Sequence, residues 1–137
     1  MTTITLHKYL QKIDELIDEN RLEEAINHCR HILQQHPRHV DTYRILAKAY
    51  LERGHYEESV DLTQRILSTD PSDLIAHVGL SIAFKAQSQL DPAIWHLERA
   101  LDIEPYNSPL REELQELYML KKMAMPDSVA PSSAALA

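Results

Sequence analysis

Three prolines, Pro37, Pro71 and Pro105, follow one another at intervals of 34 residues. Aligning the chain on them gives three blocks, 6–39, 40–73 and 74–107, and further columns of similar residues then appear. One column is all leucine, one holds large residues and one holds small residues: Leu33, Leu67 and Leu101; Leu16, Tyr50 and Phe84; Ala25, Ser59 and Ala93. A fixed period of this length is typical of stacked structural repeats, each of which buries its apolar face against the next.

Each block contains two helical patterns separated by a short break. In the second block, apolar residues follow the i, i+3, i+4, i+7 spacing of one helix face: Tyr43, Leu46, Ala47 and Tyr50. A second helical pattern begins at Tyr56. The chain has only 2 Gly, too few for a turn-rich β fold or a phosphate-binding loop. The sequence therefore predicts an all-α fold built from helix–turn–helix units.

This pattern of 34 residues resembles the tetratricopeptide repeat family. In the second block the resemblance is carried by Tyr43, Leu46, Ala47, Tyr50, Gly54, Tyr56 and Pro71. In the third block it is carried by Leu80, Phe84, Ala93, Leu97, Ala100 and Pro105. The resemblance covers residues 6–107, which are 102 of the 137, and it implies a right-handed helical solenoid of three repeats.

Departures from the family pattern fall in two places. The first block has Lys12 where the family has leucine and Asn20 where it has glycine, which suits a terminal repeat with one face in water. The second block has Ser59, Thr63 and Ile66 where the family has alanine, an aromatic residue and alanine. We expect these three substitutions to keep the packed volume roughly balanced.

The two ends of the chain have their own patterns. Residues 108–122 predict a seventh helix with Ser108 as its cap and an apolar stripe of Leu110, Leu114, Leu117 and Tyr118. This helix fits two interpretations, a sealing helix or the first half of a fourth repeat, and it leaves open whether the chain is a segment of a longer protein. Residues 1–5 form a lead-in, and residues 123–137 are rich in Ala, Ser and Pro, as is typical of a flexible tail.

Charge and hydropathy exclude two classes of partner. The net charge of -7 gives no basic surface for nucleic acid, and no run approaches the roughly 18 apolar residues of a membrane-spanning helix. The single cysteine, Cys29, cannot form an internal disulfide and fits a reducing compartment. Since the amino terminus also lacks a secretory signal, we expect a cytoplasmic protein.

No residue set has the spacing of a catalytic or cofactor site, so the sequence predicts a protein that is not an enzyme and holds no cofactor. Paired carboxylates such as Glu23 and Glu24 recur near helix starts, where the helix dipole explains them. His28 and His31 share a helix face at a spacing that suits zinc or nickel. However, both fall in solvent-facing columns and Cys29 between them falls in a buried one, so metal binding by this pair stays an open alternative.

The resemblance implies that the first helices of successive repeats line a concave groove that holds a peptide or a helix. It places these residues on the groove: Leu10, Asp14, Ile17, Asp41, Arg44, Lys48, Leu51, Glu52, Ile75, Val78, Ile82 and Lys85. One subgroup of the family clamps the carboxyl terminus of heat-shock chaperones with Lys, Asn and Arg side chains. The matching positions here carry none of these, which argues against that ligand: Leu10, Asp14, Ile45, Ile75 and Gly79.

The groove positions are acidic near the first repeat, mixed in charge in the second and apolar towards the third. Ile75, Val78 and Ile82 lie at i, i+3, i+7 and predict a docking strip for an apolar or amphipathic segment, unless the seventh helix covers them. In this hypothesis three cations pair with acidic residues that flank the ligand's apolar anchors: Arg44, Lys48 and Lys85. The sequence thus predicts a protein-interaction module that works as an adaptor or scaffold. The alternative is a structural subunit that associates with its own copies or within a larger assembly.

Trp95 is the only tryptophan, and its column holds Asn27 and Asp61 in the other blocks. We therefore expect its side chain to be exposed. An exposed tryptophan suits a contact point with a partner. The alternative is that Trp95 packs on the neighbouring Arg99 or on the tail.

Overall fold

The computed structural model describes residues 3–124 and contains seven α-helices and no strand over that range. They are α1 (Thr3–Asp18), α2 (Leu22–Gln35), α3 (Val40–Arg53), α4 (Tyr56–Thr69), α5 (Leu74–Ala86), α6 (Leu90–Ile103) and α7 (Ser108–Ala124). Each helix packs on the next, and α3 also contacts α1 and α5. The predicted all-α helical-repeat solenoid is confirmed.

The two terminal helices run beyond the predicted limits. Helix α1 begins at Thr3, inside the predicted lead-in, and α7 continues to Ala124, two residues past its predicted end. The rest of the predicted tail, 125–137, lies outside the described residues. No helix between residues 3 and 124 is long and apolar enough to cross a membrane.

The turn inside each repeat places the same column in the left-handed backbone region. Asn20, Gly54 and Ser88 have φ angles of 62°, 89° and 61° and lie 34 residues apart. The Gly54 amide donates to the Leu51 carbonyl at 3.1 Å, and the next amide donates to the Tyr50 carbonyl at 2.8 Å. Equivalent pairs of bonds close the other two turns. Each first helix therefore ends in a Schellman motif, whose left-handed position glycine occupies at the least steric cost.

The side-chain caps of α5 and α7 lie in one column of the repeat, whereas His39, the residue of that column before α3, forms no such cap. Asp73 caps α5, since its Oδ1 accepts from the Ala76 amide at 3.0 Å. One repeat further, Asn107 caps α7, since its Oδ1 accepts from the Leu110 amide at 3.2 Å. Ser108, which we expected to be this cap, is instead the first residue inside the helix. The repeat register predicts the cap better than the local preference for serine does.

Two clusters of buried apolar side chains form the core. The first joins α1, α2 and α3 and includes Leu10, Ile13, Ile17, Ala25, Ile26, Cys29, Ile32, Leu46, Ala49 and Tyr50. The second joins α6 and α7 and includes Ala93, Ile94, Leu97, Ala100 and Leu117. Neither cluster contains Ser59, Thr63 or Ile66, the buried residues of α4. The apolar core is therefore discontinuous beside α4.

Helix α7 packs on α6 with its apolar side and turns a polar side outward. Leu117 is buried, and Leu110 and Leu114 pack against the second core cluster. Arg111 and Gln115 continue the columns of Tyr43 and Ala47, and both are exposed. The side of α7 that would pack on the second helix of a fourth repeat is thus polar at these two positions, which favours the interpretation of α7 as a sealing helix.

Candidate functional site

A pocket of about 400 Å³ opens on the face formed by α3 and α5, beside α4 and the start of α7. Half of the twelve predicted groove residues line it: Arg44, Lys48, Leu51, Ile75, Val78 and Ile82. The remaining wall consists of residues that were not predicted to line the groove: Ile45, Ala47, Ser59, Thr63, Ile66, Leu74, Ala76, Gly79, Asn107 and Leu110. The pocket lies beside the gap between the two core clusters.

Small side chains make room for this pocket. Gly79 has no side chain, and a Cβ built on it would meet no heavy atom within 4 Å. On α4, Thr63 stands where the family has an aromatic residue, while Cys29 and Leu97 in the same column are buried in the core clusters. All three substituted residues of α4, Ser59, Thr63 and Ile66, line this pocket.

The hydroxyl groups of the pocket wall are already hydrogen-bonded within the protein. Thr63 Oγ1 donates to the Ser59 carbonyl at 2.7 Å, and Ser59 Oγ donates to the Ala47 carbonyl at 2.8 Å. A hydroxyl has only one hydrogen to donate. The α4 side of the pocket therefore presents mainly hydrocarbon to a ligand.

The predicted docking strip is largely open to solvent. The side chains of Ile75 and Ile82 are 67% and 49% exposed. Val78 between them is half-buried and packs against the second core cluster. Helix α7 thus leaves the two isoleucines uncovered, and the alternative in which it hides the strip does not hold for them.

Arg44 reaches from α3 to the amino end of α5. Its guanidinium forms an ion pair with the buried carboxylate of Asp73 and lies 3.7 Å from Asp41. The hydrogen bond from Arg44 lowers the pKa of Asp73 and, reciprocally, raises the pKa of Arg44. This cation is therefore held at the pocket edge by two carboxylates of the chain itself.

The other two cations of the groove are paired as well. Lys48 Nζ lies 3.0 Å from Oδ1 of Asp14, which occupies the same column one repeat earlier. Lys85 Nζ lies 3.5 Å from Glu116 and 3.9 Å from Glu113 on α7. All three cations that we expected to meet acidic residues of a ligand thus already meet carboxylates of this chain.

Six predicted groove residues do not line the pocket, and two of these lie in the core. Leu10 and Ile17 are 7% and 5% exposed and belong to the first core cluster. Helix α1 contacts α3 more extensively than α3 contacts α5, so these columns are closed in the first repeat and open in the next. Asp41 and Glu52 are exposed but do not line the pocket.

Trp95 is 49% exposed on α6, as its column predicted. The Arg99 guanidinium lies over its ring at 5.0 Å, so the tryptophan packs on this neighbour.

Two histidines lie close to Trp95. His77 Nε2 donates to the Pro71 carbonyl at 2.9 Å, and His77 Nδ1 therefore accepts from His96 Nδ1 at 3.1 Å. Burial and, secondarily, the adjacent His77 lower the pKa of His96 to about 4. None of these side chains lines the pocket.

The histidine pair considered as a metal site is exposed. His28 and His31 both face solvent, and Cys29 between them is buried, as the columns predicted. His28 Nδ1 is hydrogen-bonded to the Tyr9 hydroxyl at 2.6 Å, and burial raises the pKa of Cys29 to about 12. Within the described part of the chain, no three His, Cys, Asp or Glu side chains converge as metal ligands.

Comparison with known proteins agrees with this architecture. The family model described as tetratricopeptide repeat matches residues 16–80. "Anaphase-promoting complex subunit 7" of Arabidopsis thaliana is 30% identical over 96 residues, and "General transcription factor 3C polypeptide 3" of Homo sapiens is 31% identical over 96 residues. Each alignment covers 70% of this chain but only 17% and 11% of the respective relative. The chain therefore spans less than a fifth of the length of these relatives.

A solved structure with a similar fold is the first tetratricopeptide-repeat domain of Spaghetti (RPAP3) bound to the HSP90 peptide SRMEEVD. Its TM-score is 0.77 at 18% identity, over 88% of this chain and 95% of that chain. At this identity the similarity shows the fold alone. The helices and the groove define a helical-repeat solenoid. Residues 16–80 match the tetratricopeptide repeat family, and the helices on either side continue the fold of that family. Domains of this family are commonly protein–protein interaction modules.

Proposed function

We propose that this chain is a non-enzymatic adaptor or scaffold that binds a segment of a partner protein in the pocket between α3 and α5. The observation that carries this proposal is an open aliphatic pocket of about 400 Å³ beside two exposed isoleucines. Ligand pockets in proteins typically measure about 300–1,000 Å³. The removal of Ile75, Ile82 and an inserted ligand side chain from water supplies the driving force.

The size of this driving force follows from the side chains involved. Full burial of one aliphatic or aromatic side chain contributes about 1.5–3 kcal/mol, and Ile75 and Ile82 each have about half or more of that area still to bury. The Arg44–Asp73 pair holds α3 and the start of α5 together before any ligand arrives. A preformed pocket reduces the ordering cost of binding.

An acidic chaperone tail is a poor match for this pocket. The HSP90 peptide in the Spaghetti structure carries three acidic residues. At the matching positions of this chain, Leu10 is buried, Gly79 has no side chain and Ile75 is aliphatic. We therefore propose a ligand whose recognition depends on an apolar anchor and requires no acidic tail.

Substitution of Gly79 tests the proposal. Gly79→Leu places a side chain in the open space of the pocket, whereas the control Gly79→Ala adds one methyl group and makes the same change from glycine to a good helix former. Immobilised wild type and both variants are incubated with a lysate of the source cells, and bound proteins are quantified by mass spectrometry. We expect a partner that wild type and Gly79→Ala capture and Gly79→Leu does not, at equal helicity by circular dichroism. Partners retained by Gly79→Leu would contradict a role for the pocket.

Self-association is a second candidate function, and the surface of α7 favours it. Met119 and Met123 are exposed there, together with Tyr118 and Leu120. In this case the apparent mass in sedimentation velocity rises with concentration, and Met119→Glu with Met123→Glu abolishes the rise. Gly79→Leu leaves such an association unchanged, which separates it from ligand binding in the pocket.

A further inference from the structure

The face that carries the pocket has more carboxylates than cations. Its cations are Arg44, Lys48 and Lys85, each already paired. Its carboxylates either pair with these cations or continue the groove columns: Asp14, Asp18, Asp41, Glu52, Asp73, Glu112, Glu113 and Glu116. Eight carboxylates stand against three cations, which leaves this face with an excess of five negative charges around an aliphatic pocket.

These carboxylates flank the pocket on both sides. Asp14 and Asp18 belong to α1, beyond α3, whereas Glu112, Glu113 and Glu116 belong to α7, beyond α5. A segment that lies across the first helices therefore meets an acidic, an apolar and again an acidic surface.

We propose that the occupant of the pocket is a positively charged segment of a partner protein. An aliphatic or aromatic side chain of this segment enters the pocket, and Lys or Arg residues on both sides of it meet the acidic flanks. This inference rests on the proposed function and specifies the chemistry of its ligand. Complementary charge of this kind acts on the association rate and the choice of partner more than on affinity.

Other occupants match this surface less well. Residues 125–137 of the chain contain one acidic residue, Asp127, and no Lys or Arg. A second copy of the chain carries the same net charge of -7, so its approach brings like charges together. A separate basic segment has neither disadvantage.

A random peptide library displayed on phage tests the inference. Peptides are selected on the wild-type chain and depleted on Gly79→Leu, and the selected sequences are counted. We expect an apolar anchor with an excess of Lys and Arg over Asp and Glu on both sides. A synthetic peptide of the consensus sequence should bind wild type and Gly79→Ala in fluorescence polarisation and should not bind Gly79→Leu.

Charge reversal then tests the flanks directly. Asp18→Lys with Glu112→Lys changes one carboxylate at each side of the pocket. It should weaken binding of the consensus peptide about tenfold, because two exposed attractions are replaced by repulsions. The control, Glu57→Lys with Asp61→Lys, makes the same change of net charge on the exposed face of α4. It should leave the dissociation constant within about twofold, since separated exposed charges are screened by salt.

Each other outcome has a definite meaning. Selected peptides that are neutral or acidic overturn the inference and leave the binding role of the pocket intact. The absence of any peptide that prefers wild type to Gly79→Leu overturns the proposed function, and the inference falls with it. A chain that dimerises in solution and loses the dimer on Gly79→Leu replaces the partner by a second copy and overturns the inference.

Discussion

The ion pair between Arg44 and Asp73 joins the first helices of two neighbouring repeats at the edge of the pocket. The Asp73 side chain is 5% exposed and that of Arg44 is 27% exposed. Asp73 also accepts the Ala76 amide and so caps α5. Arg44→Met removes the cation and keeps most of the aliphatic stem, which isolates the contribution of the charge.

The expected cost lies between two limits. Loss of one partner from a fully buried ion pair costs about 3–5 kcal/mol, because the other charge stays buried without compensation. Loss of an exposed pair costs up to about 1 kcal/mol. Since Asp73 is buried but keeps its backbone hydrogen bond, and Arg44 is partly exposed, we expect Arg44→Met to lower the free energy of unfolding by about 2 kcal/mol at pH 7.

The sign of the pH dependence follows from the lowered pKa of Asp73. The hydrogen bond from Arg44 lowers this pKa below the ordinary value of 3.8. A carboxyl whose pKa is lower in the folded state contributes stability above the ordinary pKa and loses it as the pH falls through the folded value. The difference in stability between wild type and Arg44→Met should therefore be full at pH 7 and should shrink as the pH falls below 3.8.

Urea denaturation followed by circular dichroism measures this difference at pH 7 and in acid. Lys48→Met is the matched control, because Lys48 and Asp14 form a pair in which both side chains are about half exposed, and it should cost less than about 1 kcal/mol. Asp73→Asn keeps a capping oxygen without the charge, so the double variant with Arg44→Met should recover part of the loss. A cost below about 0.5 kcal/mol for Arg44→Met, or a cost independent of pH, would refute the reasoning.

Three further predictions concern other columns. Ser88→Gly should raise the free energy of unfolding by up to about 1 kcal/mol and Gly54→Ala should lower it by a similar amount, because both positions have positive φ. Urea denaturation measures both changes, and changes of the same sign would contradict this prediction. Thr63→Leu introduces the residue that the third repeat has in this column, and it should raise the free energy of unfolding by about 1 kcal/mol because it buries hydrocarbon. The same change should weaken ligand binding, and unchanged binding would show that position 63 is not part of the site. His96 has a pKa of about 4 in the fold against an ordinary 6.5, so stability should fall as the pH decreases from 6.5 to 4, and an imidazole NMR titration midpoint near 6.5 would contradict the burial.

The sequence predicted the helices well because three copies of one pattern constrain each column. The turn at Gly54 assigns Asn20 and Ser88 to the same left-handed position, although neither residue alone predicts that conformation. The same logic places the cap of α7 at Asn107, one repeat after Asp73, where the local preference for serine suggested Ser108. A period therefore carries more structural information than the propensities of single residues.

Side-chain partners were predictable only where the register determines them. Asp14 and Lys48 occupy the same column of adjacent repeats, so the alignment alone contains their ion pair. The pair of Arg44 with Asp73 depends on the conformation of a long side chain, and the pairs of Lys85 depend on where α7 packs. The burial of Leu10 likewise depends on the separation of neighbouring helices, which the period does not specify.

The pocket lies where the repeats differ from one another. Cys29 and Leu97 are buried in the core clusters, whereas Thr63 in the same column lines the pocket. Gly79 lacks the side chain that Ile45 provides one repeat earlier. An aromatic residue at position 63 and a side chain at position 79 would retain every helix, turn and cap, and would fill the space that a ligand needs. Because unfilled space costs stability, the open space beside two exposed isoleucines supports the proposed binding role of the pocket. The periodic residues thus hold the helices together, and the departures from the period shape the pocket.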